Sequence, residues 1–114
     1  MATIQIDIDV RNNTLVVGAN GGNARGPAGT KILWVSKNVA FTLEFFQLAV
    51  EAQKPTDVRE LKRWPFSERE PPNGVEGPTR EFLGTLSEGV RGAQFKYYVT
   101  VENLRLDPII IVDK

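Results

Sequence analysis

The chain contains 114 residues, of which 41% are hydrophobic, so it is long enough for one globular domain with one core and is not of disordered composition. Fourteen basic residues balance fourteen acidic ones, and the resulting formal charge of zero argues against nucleic acid or an anionic membrane surface as a partner. Cysteine and histidine are both absent, which excludes disulfides, thiolate or imidazole metal ligands, and catalysis by Ser-His-Asp or Cys-His groups.

The N-terminal residues do not resemble a secretory signal. They lack a basic n-region and a continuous apolar stretch, and no part of the chain approaches the roughly 20 apolar residues that a membrane-spanning helix needs. We therefore expect a soluble, cytoplasmic protein that has no membrane partner.

The first predicted elements are strands. Isoleucine or valine occupies every second position from 4 to 10, in alternation with polar residues, which predicts a strand with one apolar and one acidic face. Asn12 and Asn13 signal a turn, and residues 14–17 predict a short second strand or the continuation of the first.

A glycine-rich segment follows at 18–29, with five glycines in twelve residues. It lacks the glycine-lysine-serine or glycine-lysine-threonine order of a P-loop and the G-x-G-x-x-G spacing of a dinucleotide site. We therefore predict a mobile surface loop here and not a phosphate site.

Residues 31–36 and 40–46 predict two further strands, separated by the polar turn Lys37-Asn38. Large apolar side chains alternate along both, and they are expected to supply the centre of the core because each aromatic ring brings a large apolar area. These side chains are Ile32, Trp34, Phe41, Leu43 and Phe45.

The segment 47–77 has a different composition, with nine charged residues among the seventeen from 54 to 70 and prolines at 55, 65, 71 and 72. It predicts a long loop, within which residues 56–62 can form one or two helical turns that end by Pro65. Arg63, Trp64 and Phe66 allow two interpretations, a contact patch for a partner or the anchor of the loop on the sandwich. Anchoring is favoured because a loop of this length needs such an attachment.

The C-terminal part predicts three more strands, at 79–86, 94–101 and 109–112. The strand at 94–101 alternates between apolar side chains and a wetter face that includes Lys96, Tyr98 and Thr100. The last strand is apolar on both faces, so it is expected in the middle of a sheet or under a covering segment. About seven strands with little helix predict one all-β domain over 1–114, a Greek-key β-sandwich of cupredoxin-like or immunoglobulin-like topology.

Residues 32–45 resemble the V-x-W-x-N … H-x-x-x-F segment of cupredoxins, and residues 83–98 resemble their V-T-L … G-x-Y-x-F-x-C segment. The strand at 109–112 has the position of their closing strand. The resemblance implies a cupredoxin-like sandwich. It covers about half of the chain, and immunoglobulin-like sandwiches share much of the same alternation and turn spacing.

The chain departs from that family at the copper ligands. The resemblance places the first histidine ligand near Phe41 and the cysteine near Val99, and it places the second histidine and the methionine between Thr100 and Pro108. None of these residue types occurs there, whereas a blue-copper site requires two imidazoles and a thiolate. The resemblance therefore implies a copper-free relative in which Phe41 and Val99 belong to the core.

These observations favour a non-catalytic protein with no cofactor and no metal, an interaction or structural module whose partner is a protein or a second copy of itself. One alternative is a small-ligand or peptide binder that uses the 47–77 loop. A second is an enzyme with paired carboxylates, Asp7 with Asp9 or Glu68 with Glu70. The position of Asp7 and Asp9 on the wet face of a strand argues against that second alternative.

Overall fold

The computed structural model describes residues 3–18, 20–51 and 54–114, and within these ranges the chain forms eleven strands and two short 3-10 helices. The strands are β1 (Thr3–Arg11), β2 (Thr14–Val17), β3 (Ala24–Gly26), β4 (Lys31–Val35), β5 (Phe41–Glu51), β6 (Lys54–Lys62), β7 (Val75–Thr79), β8 (Glu81–Thr85), β9 (Gln94–Val101), β10 (Leu104–Leu106) and β11 (Ile109–Val112). The 3-10 helices are Pro72–Gly74 and Glu88–Val90, and neither they nor any other part of the described ranges is a helix suited to crossing a bilayer.

The strands form two sheets whose apolar faces make one core. The smaller sheet has the order β2-β1-β4-β8, and the larger has the order β3-β11-β9-β5-β6, with β10 paired to β9 and β7 paired to β5. The predicted all-β sandwich is therefore confirmed. All seven predicted strands occur, as β1, β2, β4, β5, β8, β9 and β11. The choice between cupredoxin-like and immunoglobulin-like topology stays a prediction.

Both sheets are mixed, because β1 runs parallel to β4 and β3 runs parallel to β11. The remaining pairs are antiparallel, including the C-terminal pair of β9 and β11, in which Ile110 lies opposite Phe95. β10 pairs with the same edge of β9 in the same register, and between the two the amide of Tyr97 donates to the carbonyl of Pro108 at 3.0 Å. β10 and β11 therefore act as one long strand interrupted at Asp107-Pro108.

Most of the buried side chains of the core are apolar residues that alternate with polar ones along the strands. On β9, every second side chain is buried, and all five residues expected at the centre of the core have an exposed fraction of 1% or less. Aromatic rings from both sheets meet there mostly edge to face, for example Trp34 with Tyr97 at 5.3 Å and Phe45 with Phe66 at 4.9 Å between ring centroids. This geometry is favourable beyond the burial of area because the positive edge of one ring meets the negative face of the next.

The helix predicted over 56–62 is wrong, since these residues belong to β6. β5 continues beyond the predicted end at 46, and β6 pairs with it in antiparallel register, with Phe46 opposite Lys62 and Leu48 opposite Glu60. Pairing with a long neighbouring strand thus overrides the local preference of a charged segment for helix. The true connection is shorter, 63–74, and contains the 3-10 helix Pro72–Gly74.

The glycine-rich segment is also more ordered than a surface loop, because Ala24–Gly26 forms β3. Next to it, the carbonyl of Gly22 accepts a hydrogen bond from the Tyr97 hydroxyl, and Oδ1 of Asn23 accepts one from the Ile109 amide at 2.8 Å. The backbone approaches closely here: a Cβ at Gly22 would lie 2.6 Å from a Val17 methyl carbon. The predicted mobile loop is therefore wrong for this part of the segment.

The Tyr97 hydroxyl connects three parts of the structure. It donates to the Gly22 carbonyl and accepts from the indole Nε1 of Trp34 at 3.2 Å. The buried Tyr97 hydroxyl and the buried Trp34 indole N–H therefore both have hydrogen-bond partners. Burial raises the pKa of Tyr97 well above its ordinary value, because the phenolate would be poorly solvated. The side chain is therefore a neutral phenol that links β4, β9 and the glycine-rich segment.

Replacement of Tyr97 by phenylalanine tests this link. We expect Tyr97→Phe to lower the free energy of unfolding by about 1–3 kcal/mol, because two buried polar groups lose their partner. Chemical denaturation measures the change. The control is Tyr98→Phe, which removes an exposed hydroxyl and should change stability by less than about 0.5 kcal/mol. Equal losses in both variants would contradict the assigned role of Tyr97.

Two adjacent glycines allow the effect of close packing at Gly22 on stability to be distinguished from the effect of backbone strain. Gly21 and Gly22 have φ of +66° and +89°, but a Cβ at Gly21 would meet no atom within 4 Å. Gly21→Ala should therefore destabilise by about 1–2 kcal/mol through strain alone. Gly22→Ala should cost about 1–3 kcal/mol more, because it also overpacks the core. Thermal or chemical unfolding measures both, and similar losses would argue against the close packing.

Candidate interaction surface

The outer face of the larger sheet carries a group of partly exposed aromatic and charged side chains. On β9 the alternation that buries Tyr97 turns Lys96, Tyr98 and Thr100 outward. The register with β5 places Phe46 opposite Lys96 and Glu44 opposite Tyr98. The wetter face predicted for this strand is therefore the solvent face of a sheet that is five strands wide.

Four side chains at its centre contact one another, and we call Phe46, Glu60, Tyr98 and Arg105 the outer-face cluster. The rings of Phe46 and Tyr98 meet edge to face at 5.5 Å, and the Arg105 guanidinium lies 3.8 Å from the centroid of the Tyr98 ring. The Tyr98 hydroxyl donates to Glu60 Oε1 at 2.9 Å. The cluster thus joins β5, β6, β9 and β10 by an aromatic pair, a cation–π contact and a charge-assisted hydrogen bond.

The electrostatics of Tyr98 follow from these contacts. The hydrogen bond to the Glu60 carboxylate raises the pKa of Tyr98, because the phenol is needed as the donor and a phenolate would face a second negative charge. Lys96 and Arg105 act in the opposite direction but more weakly. Tyr98 is therefore a neutral hydrogen-bond donor at physiological pH.

Ion pairs and aliphatic side chains surround the outer-face cluster. Lys62 lies 2.9 Å from Glu44, and Lys96 lies 3.5 Å from Asp107. Exposed ion pairs of this kind contribute little to folding, so they remain available to a partner at small cost. Leu48, Ile109 and Ile111 add apolar surface on the same face, and 37% of Ile109 is exposed.

The structure places Arg63, Trp64 and Phe66, the partner contact considered from the sequence, outside the outer-face cluster. Phe66 is buried against Phe45 in the core, and Trp64 is partly buried against the same ring, with its Nε1 donating to the carbonyl of Glu68 at 2.7 Å. These contacts fit the interpretation of the segment as an anchor.

Arg63 is exposed and already has two partners, the Gln47 Oε1 at 2.6 Å and the Gly89 carbonyl at 3.1 Å. It lies next to the two aromatic anchors in the chain but is held at the surface. A partner contact at Arg63 and the exposed part of Trp64 stays a prediction.

Two of the four carboxylates considered for catalysis, Asp9 and Glu68, have structural contacts. Asp9 accepts from the Val10 amide at 2.8 Å and from Arg11, and these hydrogen bonds lower the pKa of Asp9, opposite to what a general acid needs. The Glu68 carboxylate accepts from the amide and the hydroxyl of Thr85, both at 2.7 Å. Within the described ranges, no group of three or more acidic side chains is arranged to hold a metal ion.

The two positions that the cupredoxin resemblance assigns to copper ligands, Phe41 and Val99, are both fully buried in the core. The family itself stays a prediction. No protein-family model matches the chain, and no curated protein matches it either.

The outer-face cluster was only partly visible in the sequence. Alternation along the strands places Tyr98 and Lys96 on the wetter face of β9, and it turns Phe46 away from the side of β5 on which Phe45 is buried. Aromatic residues on otherwise polar faces are therefore the feature of the sequence that indicates this cluster. The sequence does not indicate Glu60 as a site residue, because it predicts helical turns for residues 56–62. Arg105 comes from β10, a strand that was not predicted.

Titration of Tyr98 tests the geometry of the outer-face cluster. In a Tyr97→Phe background Tyr98 is the sole tyrosine, because the chain contains two. Glu60→Gln should lower the pKa of Tyr98 by removing the carboxylate, whereas Arg105→Gln should raise it by removing a cation. Ultraviolet absorbance of the tyrosinate measures both shifts.

Glu81→Gln is the control for this titration, because Glu81 lies on β8 of the other sheet. It should leave the pKa of Tyr98 unchanged. A pKa that is insensitive to Glu60→Gln would show that the Tyr98–Glu60 hydrogen bond is absent in solution.

Proposed function

We propose that the protein is a non-catalytic interaction module that associates with a second copy of itself through the outer face of the larger sheet. The observation that carries the proposal is the outer-face cluster, in which two aromatic rings and an arginine lie together on a solvent-facing sheet. Aromatic residues and arginine are the types that contribute most to the energy of protein interfaces.

The charges of this face favour a second copy over a strongly charged partner. In and around the outer-face cluster, three cations, Lys62, Lys96 and Arg105, are interspersed with three anions. The anions are Glu44, Glu60 and Asp107. A face of mixed sign can pair with its own copy without large repulsion, and the formal charge of zero removes the long-range barrier to association.

The outer face of the larger sheet is also large enough for a specific protein–protein interface. Strands lie about 4.8 Å apart and rise about 3.4 Å per residue, so five strands that average about eight residues, with β10 and β11 counted as one, offer a flat area of about 650 Å². Two such faces together would bury about 1,300 Å², within the range of about 1,200–2,000 Å² for specific interfaces.

The non-catalytic part of the proposal is supported by the state of the carboxylates. Asp9 is held in its ionised form by its hydrogen bonds, and the Glu68 carboxylate is already bound by Thr85. Most of the segment considered for a ligand-binding loop is strand or anchored connection. A cytoplasmic location stays a prediction.

Sedimentation of matched variants tests the proposal. We expect the wild-type chain to form dimers as its concentration rises. Ile109→Glu should weaken the dimer by at least about tenfold, because it brings a charge into the apolar part of the interface. The variant should fold normally, since Ile109 is exposed and lies opposite Lys96.

Leu83→Glu is the matched control. Leu83 is exposed to a similar extent, 42%, but lies on β8 of the smaller sheet. It should leave the dimer unchanged. A wild-type chain that stays monomeric at high concentration, or an equal effect of both variants, would refute association through this face.

A further inference from the structure

Two asparagine-glycine pairs, Asn20-Gly21 and Asn73-Gly74, occur in the chain. In this pair the glycine nitrogen can attack the asparagine side-chain carbonyl, because glycine has no side chain to shield it. A new C–N bond closes a succinimide ring and the side-chain nitrogen leaves as ammonia. Water then opens the ring at either carbonyl, which gives aspartate or isoaspartate. The reaction needs no enzyme, but it does need a free and accessible glycine amide.

The structure protects the pair at Asn73. Gly74 is buried, and its amide donates a hydrogen bond to the Pro71 carbonyl at 2.9 Å within the 3-10 helix. The Lys62 side chain covers it closely, since a Cβ at Gly74 would lie 2.7 Å from Lys62 Cε. Attack by this nitrogen therefore requires local opening of the chain.

The surroundings of Asn20 are different. Asn20 and Gly21 are both exposed in a turn, and nothing lies within 4 Å of the position that a Cβ of Gly21 would take. Among the described residues, the Gly21 amide donates no hydrogen bond. The nitrogen that must attack therefore belongs to an exposed residue and is not held by these residues.

From this contrast we infer that Asn20 is a site of spontaneous deamidation in the folded protein, whereas Asn73 is protected. The inference does not rest on the proposed function, because it follows from the two glycine amides alone.

The modification would act on two neighbouring features. Asn20 lines a shallow cleft of about 670 Å³ with Arg25, Ile109 and Ile111, so a new carboxylate arises at the margin of the outer face of the larger sheet. An isoaspartate also adds a methylene group to the backbone shortly before Gly22, whose carbonyl holds the Tyr97 hydroxyl. We expect the isoaspartate form to unfold more readily than the unmodified chain.

Peptide mass spectrometry after incubation in mildly alkaline buffer tests the inference. In the folded protein, conversion at Asn20 should be at least about tenfold faster than at Asn73, because conversion at Asn73 has to wait for local opening. In denaturing urea the two rates should become similar, since both sites are the same asparagine-glycine dipeptide and the fold no longer shields either one. This second arm shows whether the fold causes the difference.

Two variants serve as controls. Asn20→Gln should abolish the fast conversion, because glutamine would have to close a larger ring, and Asn73→Gln should leave the conversion at Asn20 unchanged. Equal rates at the two sites in the folded protein would overturn the inference. So would a folded protein in which Asn20 stays intact while both sites convert in urea.

Discussion

Two hydrogen bonds at one hydroxyl join the two sheets through the aromatic core. Trp34 on the smaller sheet donates to the Tyr97 hydroxyl, and Tyr97 on the larger sheet donates to the Gly22 carbonyl. The rest of the structure depends on this connection, because polar atoms buried among so many rings would be costly without partners. It also explains why the glycine-rich segment lies close to the sandwich: the chain must bring a bare carbonyl to the phenol, and Gly22 has no side chain to prevent it.

Two adjacent tyrosines show how a strand separates stability from interaction. Tyr97 faces the core, where its hydroxyl satisfies buried groups, and Tyr98 faces solvent, where its ring contacts Phe46 and Arg105. Their chemistry is the same and only the direction of the side chain differs. Burial raises the pKa of the first, and a neighbouring carboxylate raises the pKa of the second. The outward tyrosine can therefore change without disturbing the core.

Much of the sandwich could be predicted from the alternation of apolar and polar residues. In a half-buried strand this alternation shows which side chains face the core and which face solvent, as at Ile4 to Val10 and along β9. Strand partners could not be predicted in the same way, since alternation does not record which strand lies alongside. The parallel pairs and the short strands β3, β7 and β10 were missed for this reason. β6 was missed because its many charges suit a solvated helix as well as an edge strand. The outer-face cluster depends on β6 and β10, so it became visible only with the register.

The position of β11 has a consequence for how the protein is made. This strand follows all the others in chain order, yet it lies inside the larger sheet, between β3 and β9. Ala24 pairs with Ile110, so two segments that leave the ribosome far apart in time must meet before the sheet is complete. During synthesis, β3 and one edge of β9 therefore remain unpaired until β11 is available, and such unpaired strand edges are sites of aggregation. The nascent chain can close this sheet only after β11 has left the exit tunnel.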